Sequence, residues 1–158
     1  MSRPELTIRS YAIDDVFGPP DAEGFRLFHP GGDGGHNKSY PPIRCRVEGD
    51  RSRARVETGP DNANLQGALH GGFLLSLVDQ LLFLGPALAG QLPLGAVVTI
   101  DAGVKFIGGG KVGEPIDAVV ERIAETGRMI FLRGTMTQGE RIVATFEGTM
   151  RKMTPNAA

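Results

Sequence analysis

The stretch Gly71-Gly72-Phe73-Leu74-Leu75-Ser76-Leu77-Val78-Asp79-Gln80-Leu81-Leu82-Phe83-Leu84 decides the architecture of this chain. Its apolar residues fall on nearly every side of a helical wheel, which reads as a helix buried within protein. The run is short for a membrane span, Ser76, Asp79 and Gln80 interrupt it, and Pro86 soon follows. A helix is expected over roughly 71–89, ended by Pro86, Gly90 and Pro93. Asp79 is the only formal charge between His70 and Asp101. An isolated carboxylate is costly to desolvate, so Asp79 needs either a hydrogen-bond partner or a chemical role.

On either side of this run the texture is strand-like. Arg44-Cys45-Arg46-Val47-Glu48 and Arg53-Ala54-Arg55-Val56-Glu57 alternate charged with smaller or apolar residues around Gly49-Asp50, the pattern of a hairpin. Gly59-Pro60-Asp61-Asn62 is loop. Residues 97–107, 114–124, 129–137 and 141–151 are rich in Val, Ile, Thr and Phe, and Gly108-Gly109-Gly110, Thr126-Gly127 and Gln138-Gly139-Glu140 separate them. Links this short join antiparallel neighbours, because parallel crossovers need a dozen or more residues. The order is therefore hairpin, helix and four-strand meander. An α+β hotdog fold follows, an antiparallel sheet wrapped around one long central apolar helix. Free sheet edges are readily covered by a second copy, so a homo-oligomer is expected. Residues 1–42 form an irregular arm broken by Pro19-Pro20, Gly31-Gly32, Gly34-Gly35 and Pro41-Pro42, with one short strand near 25–28; residues 43–153 are the single domain and 154–158 a tail.

Bulk properties narrow the partners. With 158 residues, 41% hydrophobic and 22% charged, the chain is an ordinary one-domain globular sequence. A net charge of −1 without a Lys/Arg cluster argues against nucleic acid. The single cysteine, Cys45, excludes an intrachain disulfide and a Cys-rich zinc site, and it fits a reducing compartment. Met1-Ser2-Arg3-Pro4-Glu5-Leu6-Thr7 lacks the apolar core of a secretion signal, so a cytoplasmic protein with no membrane association is expected.

Immediately before the helix, Asn64-Leu65-Gln66-Gly67-Ala68-Leu69-His70-Gly71-Gly72 forms a polar, glycine-rich entry that exposes backbone N–H groups at the positive helix end. A carboxylate plus a helix N-terminus is equipment for acyl transfer. Asp79 serves as a general base, as a nucleophile forming a mixed anhydride, or as a structural acid. Gly71 and Gly72 supply an oxyanion-type N–H, or simply permit a tight turn. His70 is a proton-transfer group or a hydrogen-bonded fixture, and Asn64 meets substrate or braces its loop. The Thr99 hydroxyl matters if its strand lies beside Asp79. Eight residues of helix separate Gly71 from Asp79 by about 12 Å. One carbonyl cannot lie within about 3 Å of a donor at Gly71 and also meet Asp79 of the same subunit; if both act on one bond, they come from two subunits. Gly109, Gly110 and Lys111, and likewise Gly127 and Arg128, offer N–H groups and charge to a phosphorylated ligand, or are ordinary solvated turns.

Asn64-x5-His70-Gly71-Gly72-x6-Asp79, followed by Thr99-Ile100-Asp101 and a hairpin containing Gly113, resembles the phenylacetate-pathway type of hotdog acyl-CoA thioesterase over about residues 47–150. That resemblance implies hydrolysis of an acyl- or aryl-CoA thioester. Asp79 would activate water or attack the thioester, Gly71 N–H would bind the thioester oxygen, Asn64 and His70 would order the loop and water, and Thr99 would place the water. It also implies a site across a dimer interface, a dimer or dimer of dimers (homotetramer), coenzyme A only as part of the substrate, and no metal or other cofactor. Two departures stand out: Gly108-Gly109-Gly110 replaces the proline the family often has after the threonine strand, and residues 1–42 have no counterpart, which makes them a gate if they fold over the acyl pocket. Two other functions compete. A hotdog hydratase or dehydratase would need Asp-x4-His, but Leu84 stands five residues after Asp79, and a His-Phe-Pro entry is absent. A non-catalytic acyl-CoA binder or regulator would show tight binding without hydrolysis.

Overall fold

A computed structural model describes residues 8–29 and 35–154. In chain order the elements are α1 (Ile13–Val16), β1 (Phe17–Pro20), β2 (Arg26–Phe28), a 3-10 turn (Gly35–Ser39), β3 (Ile43–Glu48), β4 (Arg51–Val56), a second 3-10 turn (Pro60–Asn62), α2 (Gly71–Leu88), β5 (Val97–Phe106), β6 (Ile116–Glu125), β7 (Met129–Gln138) and β8 (Arg141–Lys152). The strands form one antiparallel sheet in the order β1-β2-β3-β4-β6-β7-β8-β5. It is the hotdog arrangement, with β3, β4, β5, β6 and β8 all packed against α2.

Two features differ from the sequence reading. First, only β6-β7-β8 is a meander: β5 lies outside β8, and β6 pairs with β4. The 107–115 link spans three strand spacings, about 14 Å, well within its extended reach. A short link permits adjacency without enforcing it. Second, Pro86 sits inside the last turn of α2. The helix ends instead at Gly90, φ +70°, where Gly90 N–H donates to the Ala87 carbonyl at 3.0 Å and Gln91 N–H to the Pro86 carbonyl at 2.9 Å. These are the two bonds of a Schellman cap, which needs a left-handed residue that glycine supplies without strain.

By length and composition alone α2 could cross a bilayer, with a mean hydropathy of 1.5. In the fold one side of its apolar surface packs on the sheet. Leu74, Leu77, Val78, Leu81, Leu82 and Leu84 are all buried. Close approach requires glycine at two contacts: a Cβ on Gly85 would come within 2.1 Å of Ser52 Oγ, and one on Gly148 within 2.3 Å of Leu82 Cδ1.

The described parts of the arm, 8–29 and 35–42, are more ordered than their composition suggests. Asp21 Oδ1 accepts from the N–H groups of Glu23 and Phe25, both at 2.9 Å, which closes the β1–β2 turn. The buried Phe25 ring lies under the Arg46 guanidinium, 4.5 Å from its centroid. Tyr40 Oη donates to the Ser76 carbonyl of α2 at 3.1 Å.

Cys45 faces the core on β3, and burial pushes its thiol up from 9.0 to about 12. Below pH 9 both the folded and unfolded thiols are protonated. Between pH 9 and 12 only the unfolded one ionises, so the protein loses stability by at most about 1.4 kcal/mol per pH unit from this group. Native protein is therefore expected to resist thiol labelling at pH 8 until it unfolds. In denaturant titrations Cys45→Ala should lose stability less steeply above pH 9; equal slopes would refute the assignment.

Candidate active site

The N-terminal end of α2 is built by its own entry loop. Asn64 Oδ1 accepts from Gln66 N–H at 2.9 Å and Ala68 N–H at 3.1 Å, so its side chain braces the loop. Gly67, at φ +75°, completes the turn. His70 is the N-cap: Nδ1 accepts from Gly72 N–H at 2.9 Å, leaving the ring proton on Nε2. Among the described residues nothing accepts from Gly71 N–H. That donor, at the positive end of an 18-residue helix, is open. A cleft of about 320 Å³ lies over it, with Asn64, Gly71, Leu74, Phe106 and Gly108-Gly109-Gly110 among its walls. The Phe106 ring stands 3.4 Å from where a Gly71 Cβ would be.

Asp79 occupies a second, separate cleft of about 240 Å³. Thr99 Oγ1 on β5 donates to Asp79 Oδ1 at 2.7 Å and lies 3.3 Å from Met150 Sδ. The strand pairing that sets Thr99 opposite Met150 therefore also sets it beside the acid. Asp79 is exposed rather than enclosed by the apolar helix. It continues a strip formed with Gly72 and the half-exposed Leu75, at helical spacing, on the α2 face left uncovered beside β5. Phe106, packed against Gly71, and Ile107 add exposed apolar groups near the start of α2, and Ile100 is a further exposed apolar residue on β5.

The two basic turns lie apart. Gly110 is pressed against Leu69, where a Cβ would come within 2.6 Å of Leu69 Cδ1, and its carbonyl accepts from Leu69 N–H at 2.8 Å. The Lys111 ammonium pairs with Glu114 at 3.1 Å. The triglycine thus answers first to close packing, although its 108–110 backbone, Gly109 included, borders the Gly71 cleft. Gly127 and Arg128 sit at the opposite end of the sheet, where the Arg128 carbonyl accepts from Lys152 N–H at 2.8 Å. The Arg128 guanidinium has no partner among the described residues. Within one chain the structure joins Asn64, His70, Gly71 and 108–110 in one place and Asp79 with Thr99 in another.

Gln138 is a site-shaping residue that the sequence hides, because Gln138-Gly139-Glu140 reads only as a turn. Its buried amide accepts from Lys111 N–H at 2.7 Å and donates to the Lys111 and Glu114 carbonyls, each at 2.8 Å, fixing the loop beside the Gly71 cleft. Among the described residues no group of three or more His, Cys, Asp or Glu could hold a metal ion.

A family model described as the thioesterase superfamily matches residues 66–147. No curated protein matches the sequence significantly. Among solved structures, a mutant of the phenylacetic acid degradation protein PaaI from Thermus thermophilus superposes with a TM-score of 0.63 at 20% identity, covering 73% of this chain and 96% of that one. PaaI from the phenylacetic acid degradation operon of E. coli gives 0.62 at 17%, covering 73% and 83%. A Streptococcus mutans protein bound to acetyl CoA gives 0.63 at 20%, covering 73% and 91%.

Proposed function

The chain belongs to the thioesterase superfamily, and from that premise we propose that it hydrolyses an acyl- or aryl-CoA thioester at a site shared between two copies. The supporting observation is the division of the chemistry into two clefts, one holding the open Gly71 N–H and the other the Asp79–Thr99 pair. β5 is a bare edge running between them, from Thr99 near its start to Phe106 at its end. An antiparallel β5–β5 pairing about the middle of that strand brings the donor cleft of one copy to the acid cleft of its partner.

In that composite site the Gly71 N–H binds the thioester oxygen as negative charge develops, the preorganised donation that stabilises a tetrahedral intermediate. Asp79 takes a proton from water that attacks the carbonyl, or attacks it directly to give an anhydride that water then opens; the coenzyme A thiolate leaves. Thr99 donates to Oδ1 and keeps the carboxylate aimed, while His70 and Asn64 hold the helix entry. Gly109, Gly110 and Lys111 from one copy and Gly127 and Arg128 from the other border the path for the coenzyme A phosphates. Coenzyme A enters only as part of the substrate. A dimer or dimer of dimers in the cytoplasm completes this reading.

Free-thiol release from short, medium, long and aryl acyl-CoA thioesters tests it, comparing wild type with Asp79→Asn. Release by wild type alone is expected. Tight binding of the thioesters with no release by either protein would favour a non-catalytic acyl-CoA binder.

A further inference from the structure

We propose that the N-terminal arm completes the acyl pocket, and that its Asn37 acts with Gln80 of α2 to select thioesters whose acyl group bears an uncharged hydrogen-bonding substituent. This rests on the thioesterase reading for what fills the acid cleft, and it specifies that occupant's chemistry.

The arm lies outside the segment matched by the family model, yet it supplies part of the cleft. Phe28 and Asn37 from the arm line it together with Asp79, Gln80, Phe83 and Met150. The arm is fastened where this matters. Tyr40 Oη donates to the Ser76 carbonyl, one helical turn before Gln80, and the His36 ring stands edge-on to Tyr40 at 5.4 Å. Phe28 packs on the buried Phe17 at 6.1 Å between centroids. The intervening Gly35–Ser39 turn therefore holds Asn37 against the helix that carries the acid.

The walls contributed by Phe28, Phe83 and Met150 are apolar, but the two amides are not. Neither the Asn37 nor the Gln80 side chain has a hydrogen-bond partner among the described residues. Each amide offers two donors and an acceptor. A hydrocarbon laid across them would strip their water and return nothing, whereas a hydroxyl or amide satisfies both kinds of group. A carboxylate is disfavoured, since Asp79 borders the same 240 Å³ and no Lys or Arg does. An ammonium substituent would instead pair with Asp79 and occupy the proposed base.

The test uses coenzyme A thioethers, which cannot be hydrolysed, in matched alkyl, hydroxyalkyl and carboxyalkyl forms with side chains of three to six carbons. Calorimetric Kd values are measured on the full-length protein. The best hydroxyalkyl probe is expected to bind about tenfold more tightly than its alkyl match, with the carboxyalkyl probe weakest. Asn37→Leu and Gln80→Leu should each shrink that ratio and tighten alkyl binding, a gain that damage to the fold would not produce. Equal affinities in the wild type, a ratio unmoved by both substitutions, or no binding of any probe would overturn the proposal. Selective probe binding with no thiol release from the corresponding thioesters would sink the thioesterase reading alone.

Discussion

Asp79→Asn is expected to lower thioester turnover by about 10²–10⁴-fold, the scale of losing a positioned general base, while the fold remains intact. Asparagine keeps the shape of the side chain, and its Oδ1 still accepts from Thr99 Oγ1, which lies 2.7 Å from the acid oxygen. Asp79 is exposed, so its substitution opens no cavity. What disappears is the capacity to take a proton or form an anhydride. The loss should fall on kcat, with an unchanged melting curve and circular dichroism spectrum. A folded Asp79→Asn protein with wild-type turnover would eliminate the mechanism in both its forms, since neither can proceed without a carboxylate.

Gly71→Pro should lower turnover by about 10²–10³-fold through loss of a single N–H. Proline is favoured at the first helical position, where its missing donor would have no helical partner. His70, at φ −69° and ψ 131°, already has the extended conformation that a residue before proline requires. The substitution therefore deletes the proposed oxyanion donor and keeps the helix. A test of sharing follows from combining the two variants. In a mixed pair, one composite site holds both defects and the other neither. An equal mixture after subunit exchange should regain about a quarter of wild-type activity, since half the pairs are mixed and each has one sound site. Verified exchange without recovery would place both groups in one subunit's site, contrary to the 12 Å helix argument.

The parts of this protein that were legible in its sequence are those governed by local periodicity. The Phe73–Leu84 run reads as a buried helix because its hydrophobicity has no polar face, and the hairpin across Gly49 reads from alternation and a glycine that takes φ +64°. Thr99 does lie beside Asp79, but the exposed carboxylate is not the desolvated charge that the apolar run suggests. Strand order was not legible beyond the hairpins, since nothing in 107–115 says whether the chain turns back or crosses. The exposure of Asp79 was also hidden, because a helix left bare on one side has the same apolar composition as one enclosed by its own sheet. Gln138 and Tyr40 escaped because each acts on a backbone group distant in sequence, Gln138 on the 111–114 loop and Tyr40 on Ser76. No local pattern encodes such contacts.

The addition of β1 and β2 beyond β3 has a consequence for how many copies can join. A sheet with two long bare edges can add molecules at both ends, and such head-to-tail growth runs on into fibres. Here one side of the sheet ends in the four-residue β1, whose last two positions, Pro19 and Pro20, have no N–H to offer an incoming strand. Among the described strands, β5 is the long edge that can accept another molecule through its backbone. In the proposed β5–β5 pair both long edges are used up, and growth through the sheet would stop at two. The same prolines that make the arm look structureless in the sequence act as a chain terminator for polymerisation.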